Sequence, residues 1–598
     1  MPNEWLDCGP ERFNPCLSWR VRWPGYYPEN NFRYLEEFPA LPCLQRNAAA
    51  GHLLTATARS IVRLLQAGNS VFCTQWYDGV DSFCAGKGFM YPFLDELVAI
   101  ESGKAAVAII DALMSGTYAS RDDFAARAKK VLEKARDRIA GISPKESTLT
   151  VLIAARERGI PVARFSSMVP MYRLGYGFRQ KRLWQGFTSF TSHIGTSIST
   201  HKQIAVDVLG QHGFPVPRQH VVRDFPAARK AAVSIGYPVV VKPSDTDYGT
   251  AVATGIMNEE ELSESYRLAG KHGRVIIEEQ IDGHDYRLLV INRRCVGVVR
   301  RDPPAVVGNG VDSLADLVER MALERRQDPF LRGFPCVSLQ DPLVRESLHR
   351  QNLSIHTVLE KDRVVRLRNN ANISTGGTPV VVTSNAHPDN IRLAERAAAC
   401  IGLDYAGVDF ICPDISTSWR EGGGAICEIN PTPGSSHIDA HQHLLDYLFP
   451  GNGGGRIPIM IVVGNKAQTA VLVKSLRSFL QSRTVTAGLV TGGWARIRGY
   501  PINNVKKSSP ELLSLVLADA ETEFAVVQLS PADLKINRLN PGYCSVAVVY
   551  GSDREVESLC VAHTSVVHRA DKVLRNPSVD SVLACVESLL PDSLENDR

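Results

Sequence analysis

Three side chains that carry oxygen atoms lie inside two short apolar strands of the stretch DYAGVDFICPDISTSWREGGGAICEINPTPG, residues 404–434. Asp409 lies in GVDFIC, and Glu428 and Asn430 are two residues apart in AICEIN, so the last two face the same side of a strand. A buried carboxylate is costly unless positive charge neutralises it. Oxygen ligands at alternate positions suit a hard cation such as Mg²⁺. The stretch therefore predicts a magnesium site, the alternative being hairpin-end carboxylates that accept hydrogen bonds from backbone amides.

A second group of charged residues, upstream of these strands, is suited to a nucleotide. Lys242 ends the valine-rich run PVVVKPS next to the loop SDTDYGT, so a point charge and exposed amides are available for phosphate, although an isolated lysine there can equally be a surface side chain. Glu278 and Glu279 end the strand VIIEEQIDG, where they could bond adenine and ribose. Further candidates follow at Asp285, Arg287, Arg368, Asn372 and the STGGT loop, residues 374–378. Lysine for phosphate, carboxylates for nucleoside and metal, and arginines for developing negative charge predict an ATP site with Mg²⁺.

Length and composition limit the class of protein. The 598 residues are too many for one core, and at roughly 150 residues per domain they give about three or four units. A net charge of +4 is too small to indicate nucleic-acid binding. The 13 cysteines form no CxxC pair and no His/Cys ligand spacing, which argues against a zinc site or a disulfide framework. No apolar run approaches the roughly 18 residues that span a bilayer, and the N-terminus does not read as a signal peptide, so we expect a soluble, cytoplasmic protein.

Periodicity predicts an α+β / α/β multidomain protein. Residues 1–160 read as an N-terminal α+β domain, with strands and loops over the first 50 residues and helical patterns over 51–68 and roughly 103–140. From about 165, short strands alternate with helices such as DFPAARKAAVSIG, which has a cap at Asp224 and a stop at Gly236. After the glycine-rich linker FPGNGGGR, residues 456–598 again alternate strand and helix, which is typical of an α/β domain.

Several motifs resemble those of ATP-grasp carboxylate-amine ligases: the KP pair at 242–243, VIIEEQIDGHDYRLLV, NISTGG, GVDF and EINPTPG. The combination of LGYGFRQKRL, TSHIG, PAVVGNGVDSLADLVE and NANISTGG is similar to the cyanophycin synthetases, with bifunctional glutathione synthetase as a more distant relative. The resemblance runs from about residue 148 to the C-terminus and is strongest between 170 and 440. It implies that residues 161–450 form an ATP-grasp ligase domain and residues 456–598 a truncated Mur-ligase-like α/β domain.

The resemblance also implies roles for the matching residues. Lys202 and Lys242 would bind the ATP phosphates beside the loop that contains Gly249, and Glu278, Glu279 and Asp285 would contact the nucleoside. The remaining implied roles are catalysis by Arg287, Arg368 and Asn372, contact with the acceptor peptide by Ser192, His193, Ser374, Thr375 and Gly376, and Mg²⁺ binding by Asp409, Glu428 and Asn430.

Two loops depart from the family's pattern. The family's DGNHGRG loop is SDTDYGT here, which leaves the phosphate loop and substrate preference open. The family's GTNGKTTT phosphate loop in the last domain is GNKAQTA, residues 464–470, with Gln468 in place of the lysine and Ala467 in place of a glycine. A phosphate loop needs that lysine and those glycines. We therefore interpret the last domain as a catalytically silent remnant that packs or oligomerises, with a repurposed binding site as the alternative.

One intact site favours the short second type of cyanophycin synthetase. Such an enzyme joins β-aspartyl-arginine dipeptides into cyanophycin through an acyl phosphate at the polymer's C-terminus. A ligase that builds a different isopeptide or dipeptide-derived polymer is the alternative, and a non-catalytic cyanophycin-binding scaffold is a second one. The resemblance further implies a homo-oligomer, with a dimer favoured, and partners that include neither nucleic acid nor membrane.

Overall fold

The computed structural model describes residues 95–115, 118–244, 252–328, 331, 334–368, 370–434, 439–451, 454–503, 505–531, 543–551 and 569–590. The interpretations of the first 50 residues, of the pattern at 51–68 and of Gly249 lie outside these ranges. Gly186–Tyr447 forms one compact unit, and the described residues before and after it form a second. The predicted mixed α/β multidomain class is confirmed, while the domain boundaries near 160 and 450 stay predictions.

The described residues before position 186 contain helices followed by a small antiparallel sheet: α1 (Glu96–Ser115), α2 (Arg121–Ile142), α3 (Glu146–Glu157), β1 (Val162–Arg164), β2 (Met171–Leu174) and β3 (Lys181–Trp184). The helical pattern predicted over roughly 103–140 is two helices, because Ser120 caps α2 by accepting a hydrogen bond from the Asp123 amide. Strand β2 pairs antiparallel with both β1 and β3.

Gly186–Tyr447 contains the helices α4 (His193–Thr200), α5 (Lys202–Gln211), α6 (Phe225–Ile235), α7 (Glu259–Ala269), α8 (Leu314–Gln327), α9 (Pro342–Arg350), α10 (Pro388–Ile401), α11 (Trp419–Gly422) and most of α12 (Ala440–Leu448). Its strands are β4 (Phe187–Thr188), β5 (Gln219–Val222), β6 (Val239–Pro243), β7 (Ala253–Ile256), β8 (Val275–Glu279), β9 (His284–Ile291), β10 (Arg294–Asp302), β11 (Ala305–Val307), β12 (Val364–Arg366), β13 (Thr378–Val381), β14 (Tyr405–Cys412) and β15 (Ala425–Asn430). Helix α6 begins and ends where predicted, since the Asp224 side chain accepts from the Ala227 amide and Gly236 follows the last turn.

Two antiparallel sheets organise this unit. One has the strand order β13-β10-β9-β14-β15 and the other β5-β8-β6-β7. The five-stranded sheet buries one face against α5 and α10 in a core that includes Leu288, Leu393, Val408 and Ile429. Side chains alternate across a strand, so the residues between these apolar ones face the other side.

The C-terminal segment forms a seven-stranded sheet of order β19-β18-β17-β20-β16-β21-β22. Its elements are β16 (Ile459–Val463), α13 (Lys466–Ser482), β17 (Ala487–Thr491), β18 (Trp494–Ile497), β19 (Tyr500–Pro501), α14 (Ser509–Ala518), β20 (Phe524–Leu529), β21 (Tyr543–Val549), β22 (Arg569–Arg575) and α15 (Val579–Glu587). The central strands are parallel and apolar cores cover both faces, as predicted for an α/β domain. Among the described residues, no helix combines the length and the apolar character that crossing a membrane requires.

Candidate functional site

The polar face of the five-stranded sheet carries a row of charged side chains that runs across four strands. Residues directly opposite each other in an antiparallel pair point to the same face. The register places Arg301 opposite Asp285, Arg287 opposite Asp409, and Asp409 opposite Glu428. Strand pairing therefore brings five ionisable groups, separated along the chain by as much as 143 positions (428 − 285), onto one surface.

Two guanidinium groups hold the Asp409 carboxylate. Arg287 Nη2 donates to Asp409 Oδ2 at 3.1 Å, and Arg301 Nη2 lies 3.1 Å from the same oxygen. Arg301 also donates to Asp285 Oδ1, at 3.1 Å from Nε and 2.5 Å from Nη2. The side-chain nitrogen Nδ2 of Asn430 lies 3.5 Å from Asp409 Oδ2. The predicted residues Asp285, Arg287, Asp409 and Asn430 are thus one network, and Arg301, which the sequence interpretation missed, connects its two aspartates.

Burial and like charge shape the ionisation of this network. Burial raises the pKa of Glu428, and the neighbouring Asp409 raises it further, while Lys202, Lys242 and Arg287 act in the opposite direction. Burial also raises the pKa of Asp285, against the opposing effect of Arg301. Two carboxylates that face each other across β14 and β15 repel, and a cation between them would relieve that repulsion.

The donor set around Asp409 and Glu428 fits Mg²⁺. Asp409 Oδ1 is buried and accepts no hydrogen bond from the described residues, although the Arg287 guanidinium makes an ion pair with it. No cluster of three or more His, Cys, Asp or Glu residues within the described ranges could hold a metal by itself. Two carboxylates and the side-chain amide of Asn430 match the few protein ligands that Mg²⁺ takes when water and phosphate complete its shell.

Lys242 and Glu278 form a buried ion pair in the four-stranded sheet. The ammonium lies 2.8 Å from Glu278 Oε1 and 2.7 Å from Oε2. Burial by itself lowers the pKa of Lys242, but the charge and hydrogen bonds of Glu278 outweigh burial and raise it. Glu279 points to the other face of β8 and pairs with Arg218 Nε at 3.0 Å on the surface. The structure thus places Glu278 beside a phosphate-binding candidate and Glu279 away from it.

The two sheets bring their charges within electrostatic reach of one another. Both Lys202, the first residue of α5, and Lys242 act on the ionisation of Glu428. Burial, followed by the charge of Glu278, raises the pKa of the thiol of Cys427, which precedes Glu428 in β15. The positive charges of Lys202 and Lys242 therefore favour the ionised form of Glu428.

A loop at residues 368–378 carries a further set of predicted residues. Arg368 makes an ion pair with Asp341, the residue that caps α9. Asn372 precedes a single 3₁₀ turn, Ile373–Thr375, and its carbonyl accepts from the Thr375 hydroxyl at 2.9 Å. Gly376 follows with a φ of +104°, a left-handed conformation that favours glycine. Arg325, absent from the sequence interpretation, donates from its guanidinium to three carbonyls of this loop.

Ser192 and His193 begin α4. The Ser192 hydroxyl accepts from the Gly195 amide at 3.1 Å and caps the helix. Gly195 has to be glycine, since a Cβ there would lie 2.8 Å from the carbonyl oxygens of both Ile401 and Gly402. No hydrogen bond or ion pair of the described residues joins Ser192 or His193 to the Asp409 network, so their predicted contact with the acceptor stays a prediction.

Known proteins match most of this chain, although no family model does. A cyanophycin synthetase from Synechocystis sp. is 32% identical over 479 residues, which is 77% of this chain and 54% of that protein. A cyanophycin synthetase from Crocosphaera subtropica is 29% identical over the same share of each. A bifunctional glutathione biosynthesis protein from Pasteurella multocida is 30% identical over 46% of this chain and 38% of its own length.

A crystal structure of a bifunctional glutathione synthetase from Pasteurella multocida aligns with 59% of this chain and 52% of its own, at 25% identity and a TM-score of 0.41. The chain spans about half the length of the cyanophycin synthetases that it matches.

Proposed function

Because the chain is a homologue of the cyanophycin synthetases, we propose that it is an ATP-dependent carboxylate-amine ligase of the ATP-grasp type, and that it polymerises β-aspartyl-arginine into cyanophycin. The observation that carries this proposal is the row of facing charges in which Arg287 and Arg301 hold Asp409 opposite Glu428. The charges of Lys202 and Lys242 favour the ionised form of Glu428. Few arrangements other than a metal-nucleotide site bring together so many buried and half-buried charges of both signs.

The reaction that suits this site has two steps. The terminal carboxylate of the polymer attacks the γ-phosphorus of ATP, which releases ADP and leaves an acyl phosphate. The α-amine of the dipeptide then attacks the acyl carbon, loses a proton and expels phosphate. Both steps are accelerated mainly by positioning and by neutralisation of negative charge.

Each charged group of the site has a place in this scheme. Lys202 and Lys242 would hold phosphate oxygens, and the three N–H donors of the Lys242 ammonium allow it to serve Glu278 and a phosphate together. Asp409, Glu428 and Asn430 would hold Mg²⁺, which supplies charge neutralisation between phosphates when bound. Arg287 and Arg368 would face the oxyanion that develops at the acyl carbon.

The C-terminal domain supports assigning a single active site. Its GNKAQTA segment begins α13, and Asn465 and Gln468 cap that helix reciprocally: the Gln468 amide donates to Asn465 Oδ1 at 2.9 Å and the Asn465 amide to Gln468 Oε1 at 3.3 Å. A phosphate loop leaves such backbone amides available to donate to its ligand, whereas here both amides already donate to the capping side chains. We propose that this end of the helix binds no nucleotide and that one site joins preformed dipeptides, as in the short second type of cyanophycin synthetase.

The test is ADP release measured with a cyanophycin primer and either β-aspartyl-arginine or free aspartate and arginine. We expect ADP release with the dipeptide and none with the free amino acids. Lys242→Met should show no ADP release. Arg326→Met, which changes an exposed side chain of α8, is the control variant. Turnover with free amino acids alone would show that the dipeptide assignment is wrong, and turnover with neither would overturn the proposal.

A further inference from the structure

A small subdomain between β10 and β13 holds the loop at residues 368–378. This insert, residues 305–367, contains β11, α8, α9 and β12 around its own apolar core of Leu314, Val318, Val344 and Leu359. The loop lies against it closely, since a Cβ added to Gly376 would come within 2.3 Å of Val337 Cγ2. The insert therefore lies directly against the loop that carries the predicted acceptor-binding residues.

Arg325 of the insert is buried, and no carboxylate of the described residues makes a hydrogen bond with it. It lies in the last turn of α8 and is 7% exposed. Its Nη2 donates to the Ile373 carbonyl at 2.7 Å, and its Nη1 to the carbonyls of Gly377 at 3.0 Å and Gly376 at 3.3 Å. Burying a guanidinium is costly, and burial lowers the pKa of Arg325. The carbonyls of a single loop offset part of this cost, while Nε has no hydrogen-bond partner among the described residues.

The hydrogen bonds of Arg325 fix the direction of the peptide groups in the loop. In a trans peptide the carbonyl and the following amide N–H point in opposite directions. Because the Ile373 carbonyl faces Arg325, the Ser374 amide N–H faces away from it. A backbone donor with a fixed direction, followed by the hydroxyl of Ser374, is what a site needs to bind a carboxylate or the oxyanion formed from it. The hydroxyl of Thr375 instead donates to the Asn372 carbonyl.

We infer that Arg325 is a positioning residue, which holds the 373–377 loop so that the backbone N–H and the hydroxyl of Ser374 bind the acceptor's carboxylate. This inference rests on the proposed ligase function. The ion pair between Arg368 and Asp341 is a second link between the loop and the insert. Arg325 acts through the loop and not on ATP, so it affects turnover without affecting nucleotide affinity.

The test compares Arg325→Met with Arg326→Met, the exposed neighbour on the same helix. We expect Arg325→Met to lower kcat about 10²-fold, as for a misplaced reacting group, with an unchanged ATP dissociation constant. Arg325→Lys keeps the charge but cannot span three carbonyls, so it should give an intermediate kcat and remains informative if the methionine variant does not fold. Arg326→Met should match the wild type.

Hydrogen exchange separates this inference from the proposed function. The amides of residues 375–377 donate to carbonyls of the same loop. Loss of three charge-assisted hydrogen bonds should speed exchange of these amides about tenfold or more in Arg325→Met, and not in Arg326→Met. If exchange is faster in Arg325→Met but the wild-type protein has no ligase activity, the proposed function is overturned and the contact of Arg325 with the loop is not. Unchanged exchange together with an unchanged kcat in Arg325→Met would overturn the role of Arg325.

Discussion

Replacing Lys242 by methionine should affect both the stability and the activity of the central unit. Lys242 is 9% exposed, and its ammonium contacts both oxygens of Glu278, itself 5% exposed. Methionine fills a similar volume but leaves Glu278 as a buried carboxylate without its cation. The variant therefore tests whether this pair holds the four-stranded sheet together in addition to its proposed role toward phosphate.

The burial of the pair sets the size of the effect. Removing one partner of a buried ion pair costs about 3–5 kcal/mol, equivalent to about 10²- to 10⁴-fold in the folding equilibrium. Removing both charges is far less costly, because no charge is then left uncompensated. We therefore expect Lys242→Met to be strongly destabilised and the double variant with Glu278→Gln to recover most of the loss.

The assay combines urea unfolding with hydrogen exchange of the amides in β6 and β8, which report on this sheet directly. ADP release is measured on the same proteins. Stability should recover in the double variant while activity stays absent, because the phosphate-binding charge is still missing. Wild-type stability in Lys242→Met would refute the structural argument, and ligase activity in the double variant would refute the catalytic one.

Three further predictions concern other charged residues. Arg301→Met should cost about 3–5 kcal/mol of unfolding free energy, because the buried Asp409 and the half-buried Asp285 lose a shared cation. Arg300→Met breaks a half-exposed ion pair with Asp302 of the same strand and should cost at most about 1 kcal/mol. Urea unfolding of both variants checks this. Gln468→Lys should give no arginine-adding activity and should lower stability by about 1 kcal/mol through loss of a helix cap, measured by product analysis and thermal unfolding. The pKa of Lys242 is raised above its ordinary 10.5, because the effect of Glu278 outweighs that of burial. The stabilisation from this pair is therefore fully present below pH 10.5 and is lost as the pH rises through the higher pKa of the folded state. Raising the pH above 10.5 should lower the free energy of unfolding of the wild type more than that of the Lys242→Met/Glu278→Gln variant.

The part of the candidate site that depends on the pattern of neighbouring residues within a strand could be predicted from the sequence. Carboxylates inside apolar strands identified Asp409 and Glu428, and the register between β14 and β15 indeed places them opposite each other. The position of Lys242 at the end of a buried strand likewise predicted a charge facing the site. Alternation and strand ends are properties of a few neighbouring residues, so the sequence displays them directly.

Arg301 could not be predicted because a β-bulge determines its position. The hairpin starts with Arg294 opposite Ile291, and an uninterrupted ladder would place Arg300 opposite Asp285. The irregularity between Cys295 and Gly297 shifts the register by one residue and places Arg301 there instead. A one-residue shift moves a side chain to the other face of the sheet, and nothing in the run VINRRCVGVVRRD fixes where the bulge falls.

Arg325 and the partner of Glu278 were missed for a different reason. Arg325 contacts a loop about 50 positions away, and Lys242 reaches Glu278 through the pairing of strands that are not consecutive along the chain. Such contacts depend on tertiary packing, which residue spacing alone does not determine. The sequence predicted a place for Glu278 in the nucleotide site, but not the ion pair between its carboxylate and Lys242.

Mass analysis of the product made from β-aspartyl-arginine, ATP and a short cyanophycin primer shows directly whether the enzyme joins dipeptides. We expect a ladder in which successive products differ by one dipeptide less one water, with one ADP released for each step. A primer of unchanged mass, or one extended by single amino acids, would contradict it.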